Sequence, residues 1–207
     1  MRYINKTRFF ISTAILTLLF SIFISYADGT HRDIANSVVR LHIIANSDSA
    51  ADQSLKLKVR DRVLQNAEDI FASAKTPSDA LRLAGQNTDR LRKIAEDAVR
   101  REGYGYPVSV SVGKFPFPNK TYGDIMLPSG KYNAVRIIIG TGSGHNWWCV
   151  MYPPLCFTDG AVSISDENRE KLKSSLSADE YDLICRNPSE MPVEVRFRLV
   201  EIIKNLF

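Results

Sequence analysis

The sequence is organised around one stretch, Gly140-Thr-Gly-Ser-Gly-His-Asn-Trp-Trp-Cys-Val-Met-Tyr-Pro-Pro-Leu-Cys-Phe157. It contains both tryptophans of the protein and two of its three cysteines. The run Val135-Arg-Ile-Ile-Ile139 before it is rich in β-branched residues and predicts a buried strand. Side chains alternate along a strand, so Trp147 and Trp148 on a following strand would point to opposite faces. One tryptophan could then enter the core while the other contacts a neighbouring segment or a partner.

The glycines of this stretch invite comparison with a phosphate-binding loop. Such a loop needs a following helix N-terminus and a Lys-Ser/Thr pair, and neither is present after Gly140. The pattern therefore predicts a tight turn between two strands, for which glycine is the permissive residue.

Periodicity before this stretch predicts one strand and two helices. Residues 38–45 alternate like a strand, and Asn46-Ser-Asp-Ser49 is typical of a turn. Asp52 is a candidate N-cap for a helix over 53–74. Thr76-Pro77 then starts a second helix, which is expected to continue to about residue 102.

The remaining elements complete a mixed sheet. Strands are predicted at 107–113, 132–139 and 147–152. The loop at 115–130 contains aromatic residues, so we expect it to pack on the surface or to bind something. Short helical segments are expected within 159–185, and strand-like then helical spacing at 193–206. The fold class is α/β, a single domain whose helices pack mainly on one face of a mixed β-sheet.

The N-terminus has the pattern of an export signal. Arg2, Lys6 and Arg8 precede a mostly apolar run at 9–24, and Ser25-Tyr26-Ala27 has small residues in the positions that signal peptidase reads. We expect residues 1–27 to be a signal peptide or a membrane anchor, and residues 28–207 to be the exported domain. Its cleavage stays open, because the apolar run is at the short end of the ~17–25 residues that span a bilayer.

The charge balance argues against a nucleic-acid-binding protein. The formal net charge is +4, but residues 1–27 contribute three basic and no acidic side chains. The rest of the chain has 24 basic and 23 acidic residues, which leaves no strong electrostatic attraction for phosphates. His31, His42 and His145 lack metal-ligand spacing, so neither a metal nor a cofactor is predicted.

The cysteines admit two interpretations. Cys149 follows His145 by four residues, which suggests a thiol nucleophile with an imidazole base. In an exported protein, a disulfide between Cys149 and Cys156 across the intervening Pro-Pro bend explains the same cysteines, and we expect it. Cys185 has no assigned partner.

Long motifs give a resemblance to a known family. The segments are Arg40-Leu-His-Ile-Ile-Ala-Asn-Ser-Asp-Ser-Ala-Ala-Asp-Gln-Ser-Leu-Lys-Leu-Lys-Val-Arg-Asp61, Gly144-His-Asn-Trp-Trp-Cys-Val-Met-Tyr-Pro-Pro-Leu-Cys-Phe157 and Val193-Glu-Val-Arg-Phe-Arg-Leu-Val-Glu201. Together they resemble the stage II sporulation protein R family of endospore-forming bacteria. The resemblance implies a protein made in the forespore and exported into the space between forespore and mother cell. It also implies a role in activating a membrane-embedded aspartic protease of the mother cell, which processes the sigma-E precursor.

The sequence is therefore consistent with two functions. The first is this exported signalling protein, which is not an enzyme and takes the membrane protease as its partner. The second is an exported thiol hydrolase of peptide or cell wall that uses Cys149 and His145. For the first, we expect the partner to contact Asn46, Asp48, Asn146, Trp147 and Trp148, because tryptophan is enriched at binding hot spots and strand ends often line a binding edge.

Overall fold

The computed structural model describes residues 2–155 and 164–185. Its helices are α1 (Arg2–Asn36), α2 (Ala50–Phe71), α3 (Pro77–Gln86), α4 (Thr88–Arg101), α5 (Asp166–Ser174) and α6 (Ala178–Cys185). Its strands are β1 (Val39–Ile44), β2 (Val108–Phe117), β3 (Lys120–Tyr122), β4 (Ile125–Leu127), β5 (Gly130–Ile139) and β6 (Asn146–Tyr152).

Within these described residues, the main sheet has four strands in the order β2-β5-β1-β6. β1 runs parallel to β5 and antiparallel to β6, and β2 runs antiparallel to β5. β3 and β4 form a separate two-stranded hairpin. The prediction of an α/β fold with a mixed sheet is confirmed.

The first face of the sheet packs against α2, α3 and α4. Val39, Leu41 and Ile43 of β1 point to this face because side chains alternate along the strand. They join one buried cluster with apolar residues of the three helices, such as Val59 of α2 and Leu91 of α4. Burying such a side chain stabilises the fold by roughly 1.5–3 kcal/mol.

Other elements cover part of the second face. A second buried cluster joins Tyr132 and Val150 of the sheet to Ile34 of α1, Leu172 of α5 and Ile184 of α6, together with Tyr122, Ile125 and Leu127 of the hairpin. The expectation that helices lie mainly on one face therefore holds only for α2, α3 and α4. It is wrong for α1, α5 and α6, because the second face also carries large apolar side chains that are buried against these helices.

Two predicted helix boundaries are wrong for local reasons. The N-cap of α2 is Ser49, whose side chain accepts a hydrogen bond from the Asp52 backbone N–H, and the helix begins at Ala50 rather than after Asp52. The helix expected over 77–102 is divided into α3 and α4 at Asn87. The Asn87 side chain bonds the Leu83 carbonyl at 2.9 Å, so it occupies a helix-end acceptor at the junction.

The remaining sequence predictions concern the loop at 115–130, the N-terminal segment, Cys156 and the C-terminal pattern. The aromatic loop at 115–130 is largely strand, since it contains the end of β2 and the β3–β4 hairpin. In the described part of the chain, no helix combines the length and the apolar character needed to cross a membrane. The signal or anchor at 1–27 stays a prediction. Cys156 and the pattern at 193–206 lie outside the described residues.

Candidate partner-binding site

Two loops meet at one end of the main sheet. They connect β1 to α2 (residues 45–49) and β5 to β6 (residues 140–145), and we call them the paired loops. The Thr141 N–H donates to Asn46 Oδ1 at 3.0 Å, and the Gly144 N–H donates to the Ala45 carbonyl at 3.0 Å. The sequence predicted that Asn46 and Asp48 lie near the tryptophan strand, and these hydrogen bonds place them there.

Glycine is required in the second of the paired loops. Gly140 and Gly142 have φ angles of +59° and +65°, in the left-handed region that other residues adopt at a cost. A side chain at Gly144 would collide with the Ser47 carbonyl of the facing loop. The loop is thus a tight turn, and its close approach to the other loop depends on the absent side chains.

Asp52 holds the first of the paired loops in place. Its Oδ2 accepts hydrogen bonds from Ser47 Oγ at 2.6 Å and from Asn46 Nδ2 at 2.9 Å. These two bonds, led by that of Ser47, lower the pKa of the Asp52 carboxyl. Asp52 was predicted as a helix cap, and its main contacts instead order the loop before the helix.

The paired loops also share polar contacts at their tips. Asp48 Oδ1 accepts a hydrogen bond from the His145 N–H at 2.6 Å and lies 2.5 Å from His145 Nδ1. The Lys56 ammonium of α2 donates to the His145 carbonyl at 3.1 Å. Burial lowers the pKa of Lys56, and the Asp48 carboxylate opposes that shift. His145 is consequently engaged with the facing loop and the helix behind it.

Trp147 lies on the first face of the sheet, against the helices. The Arg60 guanidinium carbon of α2 is 4.4 Å from the centroid of its ring, which is cation–π geometry. The side chain is partly buried and packs against the helix-side cluster. Its indole Nε1 is buried without a hydrogen-bond partner among the described residues.

Trp148 lies on the opposite face, as the alternation predicts. Its ring stacks on His42 with centroids 3.8 Å apart and lies 4.7 Å from the ring of Phe117. His42 Nε2 pairs with Asn146 Oδ1 at 2.8 Å. Burial lowers the pKa of His42, the Asn146 hydrogen bond opposes this, and the charges of Arg136 and Arg40 lower it further. His42 is therefore a neutral stacking partner at pH 7.

Arg40 lies fully buried on this second face beside His42 along β1. Its guanidinium carbon is 4.1 Å from the Phe117 ring centroid and 4.6 Å from that of Tyr132. Nη2 donates to the Tyr122 hydroxyl at 2.8 Å. Burial raises the pKa of Tyr132 to about 12, so this phenol stays neutral and supplies no counter-charge. Aromatic faces stabilise the buried cation instead.

The five predicted contact residues are thus close together but differ in what their side chains do. Asn46 is partly buried; its Nδ2 donates to Asp52 of α2, and its Oδ1 accepts from the Thr141 N–H of the facing loop. Asp48 and Asn146 are exposed. Trp147 and Trp148 are both partly buried, so the expected division into one core and one exposed tryptophan does not occur.

Sequence reasoning missed the cationic side chains of this region. Arg40, Arg60 and Arg136 each place a guanidinium against an aromatic ring. The alternation of β1 already placed Arg40 and His42 on one face. The pairing of β1 with β5 and β6 brings Arg136 and Trp148 to that face, and this pairing is a long-range property that periodicity does not contain.

The geometry gives little support to thiol chemistry at Cys149. Its side chain is 0% exposed and belongs to the helix-side core, whereas the His145 side chain is 76% exposed. A nucleophile must be reached by its substrate and lie within hydrogen-bond reach of its base. Within the described residues, no group of His, Cys, Asp and Glu side chains could hold a metal ion.

The fold and these contacts define a small α/β domain with paired loops and two tryptophans at one end of its sheet. The family model for stage II sporulation protein R matches residues 35–162. The chain is also 34% identical over 186 residues to the stage II sporulation protein R of Bacillus subtilis (strain 168), covering 84% of this chain and 83% of that protein. The chain belongs to the stage II sporulation protein R family. No solved structure matches it.

Proposed function

We propose that this protein is an exported signal of sporulation that activates a membrane-embedded aspartic protease, which then processes the sigma-E precursor. Membership of the stage II sporulation protein R family is the observation that carries the proposal. The structure adds a candidate contact surface, because the exposed side chains of Asp48 and Asn146 lie near two partly buried tryptophans on opposite faces of the sheet.

The proposed location is the outer face of the cytoplasmic membrane, in the space between forespore and mother cell. The basic head and apolar run of residues 1–27 support export, since they follow the order of a secretory signal. Positive charge before an apolar segment favours a cytoplasmic N-terminus and places the following chain outside.

The proposed recognition surface contains Asn46, Asp48, Asn146, Trp147 and Trp148. A tryptophan buries a large area with few rotatable bonds, so a partner gains contact area at low entropic cost. Both residues are only partly buried, so each retains some exposed surface. The hydrogen bonds of Asp52 and Thr141 hold the surrounding loops, so little ordering remains to be done on binding.

The alternative, an exported thiol hydrolase, has its candidate nucleophile Cys149 fully buried. Cys149 packs in the helix-side core, on the same face of the sheet as Trp147. A binding role for this end of the sheet uses the exposed residues, and we therefore prefer it.

Alanine substitution of each tryptophan tests the recognition surface. We expect Trp147→Ala or Trp148→Ala to lose most of the protease activation while the protein remains folded at the assay temperature. Emptying a fully buried aromatic site costs ~3–5 kcal/mol, and these partly buried sites should cost less. Activation and the thermal melt are measured on the same samples. If activation falls only in proportion to the unfolded fraction in both variants, the tryptophans are structural and the recognition surface lies elsewhere.

A further inference from the structure

Among residues 2–155 and 164–185, no element covers one half of the second sheet face, next to the paired loops. We call it the open sheet face and define it by Ile44, Phe115, Arg136, Ile138 and Trp148, all of which are partly buried. Strand pairing makes it continuous. Ile44 is opposite Ile138, His42 is opposite both Arg136 and Trp148, and β2 adds Phe115 at the edge. The cluster formed with α1, α5, α6 and the hairpin covers the other half.

Arg136 gives this face its charge. Its guanidinium carbon lies 4.2 Å from the centroid of the Phe115 ring, so the group lies over an aromatic face. Its Nε is buried with no hydrogen-bond partner, and no salt bridge to Arg136 occurs within residues 2–155 and 164–185. The guanidinium is therefore positioned by stacking, and no carboxylate of the described residues pairs with its charge.

The neighbours of Arg136 add no negative charge. Alternation places one set of residues from each strand on the second face. The members are Arg40, His42 and Ile44 of β1; Ser109, Ser111, Gly113, Phe115 and Phe117 of β2; Tyr132, Ala134, Arg136 and Ile138 of β5; and Asn146, Trp148 and Val150 of β6. No carboxylate occurs in this set, although two guanidinium groups do. The face therefore attracts an anion, and it surrounds that anion with apolar side chains and the neutral side chains of Ser109, Ser111 and Asn146.

We propose that the open sheet face binds a protein segment in which a carboxylate lies next to an apolar side chain. The carboxylate pairs with the Arg136 guanidinium, whose planar donors match carboxylate geometry. The apolar side chain packs on Ile44, Ile138 and the accessible edge of Trp148. The identity of the protein that carries this segment, the exported part of the membrane protease, rests on the proposed function.

Other occupants fit this surface less well. A symmetric dimer of this chain would place the same patch on both partners and bring two Arg136 side chains together, which is unfavourable without an intervening acid. Binding to anionic lipid requires several basic side chains near the membrane, since each contributes only ~1 kcal/mol. The open sheet face has one accessible cation, Arg136, surrounded by uncharged side chains, which suits a single carboxylate.

The test compares the full-length protein with three variants. Arg136→Gln removes the charge and keeps similar length, Arg136→Lys keeps the charge, and Arg100→Gln makes the same change on α4 at the other side of the molecule. Binding of each to the purified membrane protease is measured by titration, with a thermal melt for every variant. We expect Arg136→Gln to weaken binding about tenfold or more, as loss of a charge-assisted hydrogen bond does. Arg136→Lys should lose less, and Arg100→Gln should bind like the wild type.

Four outcomes would overturn the inference. Unchanged binding by Arg136→Gln would exclude a carboxylate contact, and equal weakening by the Gln and Lys variants would indicate a packing role rather than a charge role. Concentration-dependent self-association, or binding to anionic vesicles, that Arg136→Gln abolishes would assign the surface to a second copy or to lipid. If the wild-type protein itself does not bind the protease, the proposed function fails, and this inference fails with it.

Discussion

A single carboxylate, that of Asp52, organises the loop that carries two of the proposed contact residues, Asn46 and Asp48. It accepts hydrogen bonds from Asn46 and Ser47, and Asn46 in turn accepts from the Thr141 N–H of the facing loop. Deprotonation is favoured in the folded state, because both bonds require an acceptor. Asp52 therefore links the ionisation of one group to the shape of the candidate site.

This linkage predicts the acid behaviour of Asp52→Asn. The folded-state pKa of Asp52 is below its ordinary value of 3.8, so the ionised group stabilises the fold above 3.8 and this contribution is lost as pH falls through the lowered pKa. The Asn variant should be less stable at neutral pH and should lose less further stability on acidification. Urea midpoints at neutral and acidic pH measure this. Asp69→Asn, at an exposed carboxylate with a long ion pair to Arg90, is the control. Equal acid losses in wild type and Asp52→Asn would contradict the role.

The residue types that sequence reasoning singled out were mostly the right ones, but their roles depend on contacts across the sheet. Trp147 and Trp148 lie on opposite faces because strand periodicity is local. Asp52 was read as a cap because its partners, Asn46 and Ser47, are ordered only in the folded loop. No local pattern singled out Arg136, because a charged residue in a strand is usually solvated. Its stacking on Phe115 and the lack of a nearby carboxylate among the described residues become visible only when the neighbouring strands are paired.

Among the elements, the turn between β5 and β6 limits how closely the paired loops approach. Gly144→Ala would place a methyl group against the Ser47 carbonyl, and neither backbone can move freely. We expect a loss of about 1–3 kcal/mol in unfolding free energy, the usual range for overpacking, together with weaker activation. Gly105→Ala is the matched control, because a Cβ there meets nothing within 4 Å. Chemical unfolding measures the loss of unfolding free energy in both variants. A similar loss at the two positions would contradict the close-approach argument.

The strand β6 also leads into the predicted disulfide. Cys149 is buried in β6, and we expect it to pair with Cys156 in the exported protein. A bridge across so short a loop should contribute on the order of 2–3 kcal/mol. Mass spectrometry of the exported protein, alkylated without reductant, should show Cys185 modified and the other two protected. Modification of all three thiols in the denatured protein would show that no bridge forms.

Strands were easier to predict than helix boundaries. Alternating residues in β1, β5 and β6 gave their positions to within one or two residues. The break between α3 and α4 was missed because the apolar spacing continues on both sides of Asn87, and a single asparagine is a weak signal. The β3–β4 hairpin was read as a loop because its strands have three residues each, too few to show a period.

At the scale of the whole molecule, the two faces of the sheet differ in how completely they are buried. The first face is filled by α2, α3 and α4 and provides the main core. The second face is covered only in part, and its accessible half adjoins the paired loops. A surface of this kind can present rigid contacts to a partner, since its side chains are held by stacking and by hydrogen bonds. The N-terminal segment would deliver that surface to the far side of a membrane.

The most direct test of this account uses vesicles that contain the purified membrane protease, with the sigma-E precursor enclosed on its mother-cell side. Residues 28–207 are added either to the outside or together with the precursor inside, and precursor cleavage is followed by gel electrophoresis. The account predicts cleavage when the protein is outside, little cleavage when it is inside, and little cleavage without it. Cleavage that does not depend on the added protein, or that occurs equally from the inside, would contradict the proposal that this protein is an exported activator.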